Sequence, residues 1–175
     1  MKHVTIIATS LNEQSKSQLI ARLLETELTE AGTSCELVDL RELDLPTSGS
    51  AASWGSTDAA ALATKVEKSS HIVFAVPIYC YDVNAAAKNV IELIGRSFTK
   101  KVVSFACSAG GANSYMSIMG MANHLMLDFR SIIVPRFLYV DPTGWNENKL
   151  TEDMTARLKQ LVEDMAEINI LPTSL

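Results

Sequence analysis

Two hydrophobic periods alternate along the chain. Residues 4–8 form a short apolar run with β-branched members, whereas Leu19, Ile20, Leu23, Leu24 and Leu28 recur at helical spacing within residues 17–28. The first two elements are therefore predicted as strand, then helix. Residues 36–40 predict a second strand, and residues 43–58, rich in Ser, Gly, Ala and Pro, predict the longest irregular stretch. A helix over 59–68, entered through Thr57 or Asp58 as its cap, leads to a wholly apolar third strand over 72–76 that Pro77 is expected to stop. Strong helix formers over 85–94 end at Gly95, and 101–107 predicts a fourth strand. A long Met-rich helix over 114–129 follows. The fifth strand is divided around Pro135 into 132–134 and 137–140, and a helix over 150–168 closes the pattern.

Short apolar strands alternating with helices mark a parallel sheet covered on both faces. Five β-α units in 175 residues predict a single domain over residues 1–175. The fold class is α/β, three-layer and doubly wound, with a five-stranded parallel sheet of order 2-1-3-4-5. In such a sheet the ligand binds outside the carboxyl ends of the strands, where the strand order reverses. The loops after strands 1, 3 and 4 are the segments to search for chemistry.

Composition removes several function classes. Fifteen Lys and Arg against 20 Asp and Glu leave a net charge of −5, too acidic for a chain whose main partner is a nucleic acid. No apolar run approaches the ~20 residues that cross a bilayer, and the first residues lack the pattern of a signal peptide. No membrane partner is expected, and the expected compartment is cytoplasmic. Cys35, Cys80 and Cys107 are widely spaced, giving neither a CxxC redox pair nor a four-ligand zinc pattern. His3, His71 and His124 have no ligand spacing either, so no metal site is expected.

The loop after strand 1 carries Ser10, Asn12, Ser15 and Ser17 and runs straight into a helix, whose free N–H groups and partial positive charge suit a phosphate monoester. The plainer role for Ser15 and Ser17 is to cap that helix. Neither GxxxxGK[ST] nor GxGxxG is present, which argues against a nucleoside triphosphatase and a dinucleotide fingerprint. After strand 3, Pro77, Ile78, Tyr79, Cys80 and Tyr81 bring two aromatic rings to the switch point, where they can flank a flat ligand. After strand 4, Ser108, Ala109, Gly110 and Gly111 allow a close approach of backbone N–H groups to a ligand edge. Met116, Met119, Met121 and Met126 are expected to pack in the core, with a subunit seam as the alternative. Arg130 and Arg136 flank the fifth strand and are expected to form surface ion pairs, with contact to a partner subunit as the alternative.

Together these motifs resemble the NADPH-dependent FMN reductase family of flavodoxin-like proteins over nearly the whole chain. Ser10-Leu11 followed by Ser15-x-Ser17 resembles the family's FMN phosphate loop. Pro77-Ile78-Tyr79 with Lys88-Asn89 and Ile91 resembles its P-x-Y…K-N-x-I segment, and Ser108-Ala109-Gly110-Gly111 resembles the loop at the flavin ring edge. The order of elements is most similar to FMN reductases that serve two-component monooxygenases. Many relatives carry Gly-Ser and an Arg where this chain has Thr9-Ser10 and Asn12, and Pro-Gly or Ser-Gly where it has Asn84-Ala85.

The resemblance implies an oxidoreductase in which NADPH passes hydride to FMN, and it adds the NADPH 2′-phosphate as an alternative partner for Arg130 and Arg136. No side-chain acid or base is needed, so no catalytic residue is named. The flavin-binding residues it implies are Ser10, Asn12, Ser15, Ser17, Pro77, Ile78, Tyr79, Cys80, Tyr81, Ser108, Ala109, Gly110 and Gly111. Onward acceptors within its range are a quinone, an azo compound, a metal oxyanion or a partner monooxygenase, and the expected assembly is a homodimer or homotetramer. The rival reading is a flavodoxin-type electron carrier that does not oxidise NADPH, although the Thr-rich phosphate loop and strongly acidic surface of flavodoxins are absent here. A third reading keeps the fold as a binding module without the cofactor.

Overall fold

The apolar run at the start of the chain becomes β1 (His3–Ala8), flanked on both sides by parallel strands: β2 (Ser34–Asp39) and β3 (His71–Tyr79). The structure, a computed structural model, describes residues 2–168; Met1 and residues 169–175 of the expected domain lie outside the described residues. β3 pairs in turn with β5 (Val102–Ser108) in parallel register from His71↔Val102 to Pro77↔Ser108. The far edge is made of two short pieces, β6 (Ile132–Ile133) and β7 (Leu138–Val140), both parallel to β5. Pro135 lies between them, and its missing N–H interrupts the ladder. A two-residue strand, β4 (Asp82–Val83), folds back antiparallel on the end of β3.

The principal strands run in the order β2-β1-β3-β5-β6. The doubly wound class is as expected. The division of the fifth strand around Pro135 is as expected, and the short β4 is an addition to the strand list.

Helices α1 (Lys16–Glu30) and α5 (Glu152–Glu167) cover one face of the sheet, and α2 (Thr57–Lys68), α3 (Ala85–Ile94) and α4 (Met119–Phe129) cover the other. Strand alternation divides the core accordingly. Val4, Ile6 and Ala8 pack with Val73, Ala75 and Ala106 under α1 and α5, while Ile72, Phe74, Val76, Val103 and Phe105 pack under the other three helices. On that second side Phe74 lies between Phe98 and Phe105, with ring centroids at 5.4 and 6.1 Å.

Three expectations are corrected. Pro77 does not end β3, which continues to Tyr79; β1 stops at Ala8, opposite Ala75, so no ladder bond on that side is asked of the proline. The helix expected over 114–129 is α-helical only from Met119, because residues Ala112–Ile118 wind as tighter 3-10 turns with a kink at Ser114. Before α5 a small hairpin of β8 (Trp145–Asn146) and β9 (Lys149–Leu150) takes Leu150 out of the helix.

Candidate functional site

The carboxyl ends of β1, β3 and β5 lie side by side, which brings the three candidate loops to one edge of the sheet. In the first loop, Ser15 is the N-cap of α1: its Oγ accepts from the Gln18 N–H at 3.4 Å and lies 2.8 Å from Ser17 Oγ. Capping, the plainer role, is therefore real. It does not close the helix end, because α1 has no acidic residue in its first turn to neutralise the positive end of its dipole. Ser10, Ser15 and Ser17 are buried, and Ser10 Oγ accepts from the Asn12 N–H at 3.3 Å. Asn12 is exposed and folds the loop through Oδ1, which accepts from the Gln14 N–H at 3.0 Å.

Lys16, unremarked in the sequence, adds a cation to the first turn of α1. The β8–β9 hairpin holds it: Nζ donates to the Glu147 carbonyl at 2.5 Å and to Asn148 Oδ1 at 2.9 Å, and sits 4.7 Å from the centre of the Trp145 ring. Behind the same turn, Gln18 donates through Nε2 to Asp39 at the end of β2. Burial pushes the Asp39 carboxyl up, but the Arg41 guanidinium and backbone N–H outweigh that effect and hold it below the usual carboxylate range. Asp39 thus stays ionised and fixes α1 to the sheet.

The second loop is a tight hairpin. Tyr79 and Asp82 are paired across it, and Cys80 and Tyr81 form its two-residue turn with φ of 52° and 63°. A turn with both central residues left-handed is of the I′ type, usually built with Asn and Gly. Here it holds the sequence out toward solvent, leaving Tyr79 and Tyr81 more than half exposed, while Pro77 and Ile78 are buried in the sheet. Asn84, at the N-cap position of α3, and Asn89 within that helix fix the surroundings. Asn84 bonds twice to Thr9. Asn89, part of the K-N-x-I segment, donates through Nδ2 to the Pro46 carbonyl at 3.0 Å and accepts from the Ser48 N–H at 2.8 Å, pinning the irregular stretch after β2.

The third loop leaves β5 through Ser108 and Ala109, whose N–H donates to the Val140 carbonyl at 2.9 Å. A Cβ added at Gly110 or Gly111 would meet nothing within 4 Å, so open space lies before this backbone. Tyr139 Oη donates to the Gly111 carbonyl at 2.5 Å and lies 2.8 Å from Ser114 Oγ, and its ring packs edge-on against Tyr115. It therefore fixes the direction of the peptide that leaves the glycines. An isolated strand tyrosine 28 residues away gives no local signal of that role.

Other candidates resolve into structure. Arg136 pairs with Asp164 at 2.5 Å, Arg130 donates to the Asp128 carbonyl at 2.5 Å, and burial pushes the Cys107 thiol far up, leaving it inert. Of the four methionines expected in the core, only Met121 is buried; Met116, Met119 and Met126 are exposed beside Leu127. A concavity of about 810 Å³ between α2, α3 and α4 is lined by none of the three loops. A smaller recess of about 470 Å³ adjoins the first loop at Leu11 and runs along Ala85, Ala86 and Asn89. Among the described residues no group of three or more His, Cys, Asp or Glu is arranged to hold a metal, and no helix is long and apolar enough to cross a membrane.

An acid-free helix N-terminus, clustered hydroxyls, open glycine backbone and exposed aromatics side by side fit a planar ring carrying a phosphate tail. Comparisons with known proteins point the same way. Residues 1–146 match the sequence profile of the NADPH-dependent FMN reductase family. The chain is 26% identical to an NAD(P)H-dependent FAD/FMN reductase of Geobacillus thermodenitrificans, over 84% of each protein. Its fold is similar to that of the apo form of an NADH:FMN oxidoreductase, EMOB, with a TM-score of 0.82, 10% identity, and 99% of this chain and 94% of that one covered. It is likewise similar to FerB, an NAD(P)H:(acceptor) oxidoreductase of Paracoccus denitrificans, with a TM-score of 0.75, 18% identity, and 93% and 94% covered.

Proposed function

The chain belongs to the NADPH-dependent FMN reductase family, and from that premise we propose that it holds FMN across the ends of β1, β3 and β5 and reduces it with NAD(P)H. The observation that carries this reading is the acid-free N-terminus of α1, with its buried Ser15–Ser17 pair, set beside an open Gly110–Gly111 backbone. When bound, FMN supplies the hydride-accepting chemistry. Ser10, Asn12, Ser15 and Ser17, with the N–H groups of α1, take the phosphate. Pro77 to Tyr81 line the ring, with Tyr79 and Tyr81 offering faces and the buried Pro77 and Ile78 offering backbone. Ser108 to Gly111 direct N–H groups at the ring edge, where they favour the negative charge that reduction places there.

The functional assembly in this reading is a homodimer or homotetramer. Exposed Met116, Met119, Met126 and Leu127 on and before α4 supply an apolar face close to the aromatic turn of the second loop, and so support it. A visible-range titration with FMN, followed by aerobic NADPH consumption, tests the activity. Binding with turnover is expected. No binding at micromolar FMN overturns the reading, and binding without turnover replaces it with the electron-carrier reading.

A further inference from the structure

The first and second loops are joined by buried hydrogen bonds between Thr9 and Asn84. Asn84 occupies the N-cap position of α3 with extended backbone angles (φ −65°, ψ 155°), yet its side chain makes no bond to the helix it precedes. It reaches across to the end of β1 instead. Nδ2 donates to the Thr9 carbonyl at 2.7 Å, and Oδ1 accepts from Thr9 Oγ1, also at 2.7 Å. Thr9 is wholly buried and Asn84 is 6% exposed. The Thr9 N–H donates to the Ala75 carbonyl of β3 at 3.0 Å, so the joint is anchored in the middle of the sheet.

An asparagine at an N-cap ordinarily satisfies one of its helix's free N–H groups, and α3 forgoes that bond. What is gained is a reciprocal pair away from water, stiff because losing either partner leaves buried polar groups unsatisfied. We propose that the Thr9–Asn84 pair is a positioning device that sets the separation of the phosphate-holding loop from the ring-lining loop, and thereby governs selectivity for a phosphorylated flavin. The proposal rests on the flavin reading above. A ligand gripped at both ends is sensitive to the distance between the two loops, whereas a flavin without the phosphate is gripped by its ring alone.

Asn84→Ser tests this directly, because serine is too short to reach Thr9 but caps a helix well. Thr9→Val removes the hydroxyl from the other side at nearly constant shape, and Thr9→Ser keeps it. Fluorescence titrations with FMN and with riboflavin are read beside thermal unfolding of the ligand-free proteins. N84S is expected to stay folded but to melt somewhat lower than the parent, since the buried Thr9 carbonyl loses its side-chain partner, to bind FMN about tenfold more weakly, and to change far less toward riboflavin. T9V is expected to behave alike, T9S to stay close to the parent, and the N84S/T9V double variant to be no weaker than N84S alone. Parent-like FMN affinity in folded N84S or T9V, or equal weakening toward both flavins, overturns the proposal. A parent protein that binds neither flavin overturns the flavin reading itself, and the proposal with it.

Discussion

Ser15 shows how one side chain carries both a structural and a ligand-binding role. Its oxygen caps α1 and faces Ser17 at the helix end offered to a phosphate. The two roles separate in Ser15→Asp, since aspartate caps as well as serine but brings a negative charge to the anion's position. The variant is expected to unfold at the parent's temperature, where Ser15→Ala costs about 1 kcal/mol, and to bind FMN at least about tenfold more weakly. Parent-like affinity for FMN in a calorimetric titration removes Ser15 from the phosphate site. At this scale the sequence was legible where chemistry is local. A Ser-x-Ser before an apolar helical run reads as a cap and an anion loop together. Asn84 stands out in the sequence only as a departure from the Pro-Gly or Ser-Gly of relatives, and only the fold shows its amide turned to Thr9, 75 residues earlier. Lys16 and Tyr139 escaped for the same reason, their partners being distant in sequence.

Elements were legible in kind and less so in extent. Periodicity found each main strand and helix because burial on two faces of one sheet imposes it, but Pro77 reads as a stop signal only if β1 is assumed to run as far as β3. The junction of β3 with the end of α5 makes a prediction of its own. His71 is 2% exposed; its Nε2 meets the Ile168 carbonyl at 3.0 Å, and Nδ1 lies 2.8 Å from Ser70 Oγ. Burial holds its pKa below the ordinary value, aided by the charge of Lys2 and opposed by the Ile168 carbonyl. The unfolded chain therefore binds this proton more readily than the folded one. His71's contribution is fully present above its unfolded value of about 6.5 and is lost as pH falls from there toward the folded value, with a slope of at most about 1.4 kcal/mol per pH unit. Urea unfolding between neutral and mildly acid pH is expected to show this loss, and His71→Gln to flatten it; an unchanged slope in the variant refutes the assignment.

At the scale of the whole molecule, the described residues 2–168 form one doubly wound sheet with its helices and the β8–β9 hairpin. The aromatic turn of the second loop lies at the surface, and the apolar side chains of Met119, Met126 and Leu127 are exposed among the described residues. Light scattering is expected to give twice or four times the chain mass, and Leu127→Lys to shift it toward the monomer; a monomeric parent contradicts the assembly. The measurement that bears most directly on the central claim is anaerobic mixing of the FMN-loaded protein with NADPH, followed through the flavin's visible absorbance. The account predicts that the absorbance bleaches on the first turnover, without any other protein present. FMN that stays bound and oxidised in excess NADPH and NADH contradicts it.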